Sequence, residues 1–329
     1  MARLTALAAA AVAAVALAQP ALAQSYPGSK PITIIVPFSA GGPTDKVARD
    51  FSEALRKHLG NASIVVDNAA GAGSTIGIAK AARATPDGHT LLLTHIGMST
   101  IPTLYRKLSF NVLEDFEYLG IINDVPMTVI ARPSMEANNF AGLLDWMKST
   151  KNGVNLGNAG LGSASHLCGL MFQKAINMQL VTIPYGGTAP AIADLVGGQI
   201  DVLCDQTTNT TPQIAGKKVK AYAVTTPQRL GSELYKNLPT LQEAGFKDFN
   251  VTIWHGLYAP KGTPKQVLET INAALKKALQ EPEFIQRQQG LGAVVANDER
   301  VEPAKHKAFV QSEIQKWGEV IKAAGQFAD

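Results

Sequence analysis

Two glycine-rich loops contain the residues best suited to binding chemistry. The first, residues 37–45, reads Pro-Phe-Ser-Ala-Gly-Gly-Pro-Thr-Asp and follows an apolar run, residues 32–36, that is typical of a buried strand. The second, residues 157–166, reads Gly-Asn-Ala-Gly-Leu-Gly-Ser-Ala-Ser-His. Each loop precedes a predicted helix, and glycine lets the backbone come close to a ligand. Because a helix start offers unpaired N–H groups and a partial positive charge, both loops suggest an anion site.

The pairing of the two loops argues for a ligand-binding cleft. Each loop taken alone fits an ordinary strand-to-helix turn, with Thr44 and Ser163 as helix N-caps. Equivalent loops in the two halves favour a shared site, because open α/β sheets bind ligands at the carboxyl edge of their strands. Neither loop contains Arg or Lys. A bound anion would therefore rely on main-chain amides, hydroxyls and water rather than on an ion pair.

Three further loops are predicted to line the same cleft. Residues 71–77 resemble the dinucleotide fingerprint Gly-x-Gly-x-x-Gly, but the last glycine is one position late and no acidic residue follows the next strand. No cofactor is therefore expected. Residues 184–190 join a strand to a helix, and residues 205–211 read Asp-Gln-Thr-Thr-Asn-Thr-Thr. The last stretch fits either a solvated turn or a set of hydrogen-bonding groups for a small polar ligand.

Catalytic and metal-binding patterns are weak, so we expect a binding protein rather than an enzyme. The rival hypothesis is a periplasmic hydrolase that uses Ser165 or Ser163 with His166. The sequence has no Gly-x-Ser-x-Gly elbow, and adjacent residues on a helix do not face each other. The histidines do not fall at a zinc spacing. A net charge of +4 without a basic stripe argues against a nucleic-acid partner.

The order of strands and helices predicts an α/β fold with two lobes. Residues 32–94 read as βαβαβ, and a second set follows Pro133. We predict a two-lobed periplasmic binding protein fold, with a mainly parallel sheet flanked by helices in each lobe. Two strands, near residues 117–131 and 249–258, are predicted to cross between the lobes. The predicted boundaries are residues 24–125 and 251–329 for lobe 1 and residues 126–250 for lobe 2.

The first residues predict export. Arg3 is followed by the apolar residues 4–18, interrupted only by Thr5, and Ala21-Leu22-Ala23 is a small-x-small cleavage signal. Residues 1–23 are therefore predicted to be a signal peptide, with a mature periplasmic chain that starts at Gln24. A retained anchor is the alternative, although the apolar run is short for a bilayer span.

The chain has two cysteines, Cys168 and Cys204. An exported chain meets an oxidising compartment, so a disulfide is possible, and two buried free thiols are the alternative. Cys168 lies one turn into the helix after the second glycine-rich loop, and Cys204 ends a strand expected beside that helix. This placement predicts a disulfide that clamps lobe 2 near the cleft.

Several motifs along the chain resemble the Bug-type receptors of tripartite tricarboxylate transporters. The matching segments are residues 26–27, 30–32, 36–42, Asp45, Asn68, 71–73, 84–91, 162–167, 184–185, 187–190, 197–201, 238–240 and 254–264. The resemblance implies a two-lobed periplasmic fold that closes around a carboxylate held by residues 38–45 and 160–166. It also implies integral-membrane transporter subunits as partners. Residues 205–209 resemble those of family members that bind acidic amino acids.

The expected function is capture of a small dicarboxylate or acidic amino acid by a monomer, with Asp205 as the partner of a ligand ammonium. The alternative ligand is an aromatic carboxylate such as nicotinate or terephthalate, stacked on Phe38, Tyr185 or Trp254. Core packing is expected for Trp254, because it lies within a predicted strand. The predicted ligand-binding residues are Phe38, Ser39, Ala40, Gly41, Gly42, Thr44, Asp45, Gly73, Ser74, Ala159, Gly160, Gly162, Ser163, Ser165, His166, Tyr185, Thr188 and Asp205.

Overall fold

A computed structural model describes residues 26–151, 153–325 and 327 of the chain. The predicted signal peptide and its cleavage site lie outside these residues. Within them, no helix combines the length and the apolar composition needed to cross a membrane.

Ten strands of the described residues form one curled sheet. They are β1 (Ile32–Val36), β2 (Ile64–Asn68), β3 (Thr90–His95), β4 (Phe116–Ala131), β5 (Asn155–Asn158), β6 (Val181–Pro184), β7 (Val202–Gln206), β8 (Lys220–Val224), β9 (Thr252–Pro260) and β10 (Val294–Val295). The strand order is β2-β1-β3-β9-β4-β7-β5-β6, and β8 and β10 also pair with β4. The sets β2-β1-β3 and β6-β5-β7 are parallel, whereas β9 and β4 add antiparallel ladders between them.

Ten α-helices of the described residues pack around the sheet. They are α1 (Pro43–Lys57), α2 (Thr75–Ala82), α3 (Gly97–Leu104), α4 (Phe140–Ser149), α5 (Ala164–Ile176), α6 (Thr188–Val196), α7 (Thr207–Ala215), α8 (Lys265–Ala278), α9 (Pro282–Gly290) and α10 (Pro303–Ala324). The apolar positions of α1 recur at helical spacing, and Val47, Phe51 and Leu55 are fully buried. Most helices follow the predicted pattern. Helices α3 and α7 were not predicted, because α3 contains Pro102 and α7 is rich in threonine, a poor helix former.

The 16-residue strand β4 joins the two parts of the sheet. Its first part, residues 116–126, pairs with β9, and its last part, residues 127–131, pairs with β7 and β8. The chain passes between the two parts again just before β9, where the Val251 amide donates to the Thr225 carbonyl at 3.2 Å. The predicted two-lobed α/β fold is confirmed, while its residue boundaries stay a prediction. We use lobe 1 for β1–β3, β9, β10, α1–α3 and α8–α10, and lobe 2 for β5–β8 and α4–α7.

Trp254 lies in the core, as its position within a strand predicted. Its side chain is 2% exposed, and its ring packs edge-on against Phe309. The indole N–H donates to Glu313 at 3.3 Å, so the one polar atom of the ring is satisfied. This packing removes Trp254 from the aromatic side chains that a ligand could reach.

The predicted disulfide is present between Cys168 of α5 and Cys204 of β7, with Cα atoms 6.1 Å apart. Both residues are buried. The bond ties α5, just past its first turn, to the middle of β7, directly before Asp205. It therefore holds together two segments that carry predicted binding residues.

The disulfide predicts the thiol content and part of the stability. Unreduced, unfolded protein should react with a maleimide at neither cysteine, and after reduction at both. Reduction should lower the free energy of unfolding by about 4 kcal/mol, because it releases a cross-link across 36 residues of the unfolded chain. Urea unfolding with and without reductant measures this change. A C168A/C204A variant is the control and should be insensitive to reductant. Two labelled thiols before reduction would contradict the assignment.

Candidate ligand-binding site

The two glycine-rich loops line the same cleft between the lobes, and each contacts the opposite lobe. The Ser39 amide of lobe 1 donates to the Gly186 carbonyl of lobe 2 at 3.1 Å. The second glycine-rich loop also contacts lobe 1. The Thr100 hydroxyl donates to the Gly162 carbonyl at 2.6 Å, and the Tyr105 hydroxyl donates to the Leu161 carbonyl at 3.1 Å. These contacts hold the lobes in a closed arrangement with the two loops at the same face of the molecule.

Glycine at position 73 permits the closest approach between the lobes. A Cβ atom there would lie 1.8 Å from the Leu161 carbonyl oxygen and 2.6 Å from the Tyr105 hydroxyl oxygen. Gly73 also has φ = +60°, in the left-handed region that side chains disfavour. From lobe 2, a Cβ at Gly160 would lie 3.0 Å from the Gly73 main chain. The glycines of the loop at residues 71–77 therefore allow the lobes to approach each other. This role explains the loop without a dinucleotide site.

A small cavity of about 10 Å³, with room for about one water molecule, lies between the two lobes. Lobe 1 and lobe 2 both contribute to its wall. The lining residues are Phe38, Gly42, Pro43, Thr44 and His95 from lobe 1, and Ala159, Ala164, Ser165, Thr188, Asp205 and Gln206 from lobe 2. None of these described lining residues is Lys or Arg, so the expectation of an anion site without an ion pair fits the cavity wall.

Four helices begin at the cavity wall. Helix α1 starts at Pro43, α5 at Ala164, α6 at Thr188 and α7 directly after Gln206. Each start contributes main-chain N–H groups without helical acceptors and the positive end of a helix dipole. Their convergence gives the cavity a preference for negative charge, and it does so without a cationic side chain.

One of the two predicted helix caps is confirmed and the other is wrong. The Ser163 hydroxyl accepts from the His166 amide at 3.2 Å and caps α5. For α1 the N-cap is Gly42, and Thr44 is the second residue of the helix. The helix begins earlier because Pro43 suits its first position, where the amide hydrogen is not needed. The Thr44 hydroxyl lies instead 3.4 Å from Nε2 of His255.

Asp45 supports the first loop and is not part of the cavity wall. Its carboxylate accepts hydrogen bonds from the Gly41 amide at 2.9 Å, from Arg49 at 3.0 Å and from Asn68 at 3.0 Å. Burial raises the pKa of Asp45, but these hydrogen bonds, led by that from Arg49, outweigh it and hold the pKa below its usual value. Arg49 and Asn68 were not identified from the sequence as supports of this loop.

The structure divides the predicted binding residues into two groups. Those that line the cavity are Phe38, Gly42, Thr44, Ala159, Ser165, Thr188 and Asp205. Those in the loops around it, but outside its lining, are Ser39, Ala40, Gly41, Asp45, Gly73, Ser74, Gly160, Gly162, Ser163, His166 and Tyr185. Pro43, Ala164 and Gln206 also line the cavity; they lie in loops predicted to line the cleft but were not among the predicted binding residues, and His95 was not predicted at all. For His95 a signal existed, because it ends a strand at the carboxyl edge of the sheet.

Among the three aromatic residues considered for stacking, only Phe38 lines the cavity. Its ring lies 4.6 Å from that of His95. The Tyr185 hydroxyl donates to Asp194 at 2.7 Å, within lobe 2, and Trp254 lies in the core. A ring-stacking site would therefore rest on Phe38.

The residues proposed for a hydrolase are engaged in holding the second loop. The Ser165 hydroxyl accepts from the Ala159 amide at 2.8 Å and lies 3.2 Å from the Ser163 hydroxyl. Nδ1 of His166 accepts from the Gly162 amide at 3.3 Å. These contacts shape the loop and give no support for a serine nucleophile activated by His166.

Residues 205–210, which end β7 and begin α7, are buried, so the interpretation of this polar stretch as a solvated turn is wrong. Asp205 is 1% exposed, and Oδ2 of its carboxylate accepts from Asn209 at 2.6 Å. Among the described residues, Asp205 Oδ1, Gln206 Oε1 and the hydroxyls of Thr207 and Thr208 have no hydrogen-bond partner. Burial raises the pKa of Asp205 to about 6, against the lowering effect of the Asn209 hydrogen bond. Because buried polar groups are nearly always paired, the unpaired oxygens of Asp205 and Gln206, which line the cavity, favour a polar guest there.

Comparison with known proteins gives a consistent result. The family described as tripartite tricarboxylate transporter family receptor matches residues 47–326. The structure of the periplasmic binding protein BugD is similar, with a TM-score of 0.87 and 47% identity, covering 91% of this chain and 99% of that chain. MatC from Rhodopseudomonas palustris with bound malate has a TM-score of 0.83 and 35% identity, and the match covers 88% of this chain and 98% of MatC. An R. palustris protein with adipate has a TM-score of 0.85 and 27% identity, and the match covers 92% of this chain and 99% of that protein's chain.

The close approach at Gly73 predicts that a side chain there opens the cleft. In a G73A variant, the inter-lobe hydrogen bond of the Ser39 amide should break. Hydrogen–deuterium exchange at that amide should then accelerate by about tenfold or more, because protection depends on the closed state. A G60A variant is the matched control. Gly60 has a similar φ of +63°, and a Cβ there would meet no atom within 4 Å. Unchanged exchange in G73A would contradict the role of this contact.

Proposed function

This chain belongs to the tripartite tricarboxylate transporter receptor family, and from that premise we propose that it is a periplasmic receptor for a small carboxylate. It binds the carboxylate as a monomer and without chemical conversion. It then presents the ligand to the integral-membrane subunits of a tripartite tricarboxylate transporter. The predicted signal peptide supports export to the periplasm.

The observation that carries this proposal is the convergence of four helix starts on one cavity. The N-termini of α1, α5, α6 and α7 supply main-chain donors from both lobes. A carboxylate that contacts donors of both lobes stabilises the closed state relative to the open state. Ligand binding and closure are then the same event, which is what a transport receptor requires.

A dicarboxylate or acidic amino acid fits the charges of the cavity better than a simple monocarboxylate. Helix starts from opposite lobes suit two negative groups, and malate bound to MatC has two carboxylates. Asp205 adds one buried carboxylate with an unpartnered oxygen, which suits a ligand ammonium. An acidic amino acid would use both features. An aromatic carboxylate is the alternative, supported by the position of the Phe38 ring in the wall.

The proposal predicts measurable binding of a carboxylate by the purified mature protein. Isothermal titration with aspartate, glutamate, malate, succinate, citrate and nicotinate should give saturable heat for at least one dicarboxylate or acidic amino acid. The same ligand should raise the melting temperature, because it binds only the folded state. The panel also separates the two ligand classes, since an aromatic site would favour nicotinate. Absence of heat and of a thermal shift with every carboxylate would overturn the proposal.

Asp205 predicts a pH dependence that separates amino acids from dicarboxylates. An ammonium ligand needs the ionised carboxylate, so aspartate affinity should fall as the pH drops through about 6, by up to tenfold per unit below that value. A D205N variant should lose this dependence and bind aspartate at least about tenfold more weakly at pH 7.5. The same variant should bind succinate more tightly, because it removes a like charge from the cavity.

The matched control for this test is D194N in the same lobe. Asp194 contacts the Tyr185 hydroxyl and does not line the cavity, so its replacement should leave both affinities near those of the wild type. If D205N changes aspartate and succinate affinity in the same direction and to the same extent, Asp205 does not bind an ammonium.

A further inference from the structure

A chain of hydrogen bonds runs through lobe 1 from an ion pair at the surface to the cavity. Asp50 Oδ2 accepts from Gln288 Nε2 at 3.2 Å, and Gln288 Oε1 accepts from Asn123 Nδ2 at 2.7 Å. Asn123 Oδ1 lies 2.8 Å from His255 Nδ1. His255 Nε2 lies 3.4 Å from the Thr44 hydroxyl, which lines the cavity. All five side chains are buried, so each link depends on the next for its partner.

The carboxylate of Asp50 determines the direction of the chain. It lies 3.5 Å from Lys46 Nζ and 3.7 Å from Arg287 Nη1. A carboxylate in ion pairs only accepts hydrogen bonds, so Gln288 must turn its amide nitrogen toward Asp50. The amide oxygen of Gln288 then faces Asn123, which must donate its nitrogen in turn.

The same logic assigns the protons of His255 and Thr44. Because Asn123 donates with its nitrogen, its oxygen faces His255, and Nδ1 of that ring must carry the proton. Burial, and secondarily the nearby His95, lower the pKa of His255 well below its usual value, so the ring is neutral and its Nε2 is bare. The Thr44 hydroxyl must therefore donate its single hydrogen to His255. Toward the cavity it can offer only lone pairs.

His95 has the opposite assignment. Its Nδ1 accepts from the Gly97 amide at 3.0 Å, so this nitrogen carries no proton. Burial lowers the pKa of His95 to about 3, which leaves the ring neutral with its proton on Nε2. The cavity wall thus contains one histidine N–H donor and one threonine that can only accept.

We propose that this chain of hydrogen bonds makes the Thr44 hydroxyl an obligate hydrogen-bond acceptor. The site thereby selects carboxylates that bear a hydroxyl or ammonium group over carboxylates that bear neither. This inference rests on the proposed carboxylate-binding function and specifies its ligand class. A ligand hydroxyl or ammonium hydrogen pairs with Thr44, and Asp205 Oδ1 and Gln206 Oε1 are further unpartnered acceptors in the same lining. A ligand without such a hydrogen leaves the acceptor unpaired in a closed cavity. Sites built for a hydrogen bond discriminate strongly against analogues that lack it.

Malate and succinate provide the ligand pair for the test, because they share both carboxylates and differ by one hydroxyl. Wild-type protein should bind malate more tightly than succinate by about tenfold or more. A T44V variant, which keeps the shape and removes the hydroxyl, should reduce this ratio of affinities by about tenfold. A T44S variant keeps the acceptor and should retain the ratio. An unchanged ratio in T44V would overturn the proposal.

Nitrogen NMR of the histidine side chains tests the chain itself without any ligand. At pH 7 the spectra should show His255 protonated on Nδ1 and His95 protonated on Nε2, with the resonances assigned through H255Q and H95Q variants. An N123L variant removes the partner that orders His255. Its His255 signal should then move toward the Nε2-protonated form, and the malate-to-succinate ratio should fall although Thr44 is intact.

The two readouts separate failure of this inference from failure of the proposed function. A wild-type His255 with its proton on Nε2 would overturn the assigned direction of the chain even if carboxylates bind well. Absence of binding by every carboxylate would overturn the proposed function and the ligand selection with it. In that case the nitrogen spectra would still decide the proton assignment.

Discussion

The backbone of residue 73 lies so close to the Leu161 carbonyl oxygen that no side chain fits between them. This main-chain contact fixes the distance between the lobes, and the geometry of the cavity follows from it. Helix starts of lobe 1 and lobe 2 can reach one small ligand only when the lobes are this near. The inter-lobe hydrogen bond of the Ser39 amide depends on the same approach. Closure of the lobes thus depends on main-chain contacts. The side chains that line the cavity are therefore free to determine which ligand binds.

The described residues that line the cavity include no Lys or Arg, so the proposed binding of an anion depends on helix N-termini. Lys or Arg would bind a carboxylate strongly, but a flexible cation also holds counter-anions and water in the open state. Helix N-termini are fixed by the fold and need no rearrangement when a ligand enters, so their donors are oriented in advance. The buried carboxylate of Asp205 adds one negative charge among these positive helix ends. Together they suit a ligand that is negative overall but carries a hydrogen-bond donor.

The polar residues 205–210 show what this arrangement costs the folded protein. Several of their oxygen atoms are buried without a partner, which lowers stability, and poor helix formers fill the first turn of α7. The disulfide between Cys168 and Cys204 lies directly beside them and ties them to the start of α5. A covalent link at this point offsets part of the destabilisation. Local rules of protein structure are most often broken at functional sites, and here the exceptions collect around one cavity.

Much of the fold could be predicted from local patterns. The periodicity of the apolar residues predicted β1 at its observed bounds, most of the other strands and helices, and the two-lobed α/β class. Glycine-rich turns after strands predicted the two loops that line the cleft, and the placement of Cys168 and Cys204 predicted the disulfide. The strands, helices and turns could be predicted because each depends on residues close to it in the chain. Helix α7 was missed because burial, which outweighs weak helix propensity, is not a local property.

The remaining features of the site were decided by the tertiary structure alone. The register of β3, β9 and β4 places His95 beside His255 and His255 beside Asn123, and these partners are far apart in sequence. Asn123 and Gln288 are separated by 165 residues, and Gln288 and Asp50 by 238. The sequence by itself determined which residues form strands and helices and that two loops offer amides to an anion. Only the tertiary structure decided which polar side chains form hydrogen bonds with each other, because a one-residue change of strand register would separate these side chains.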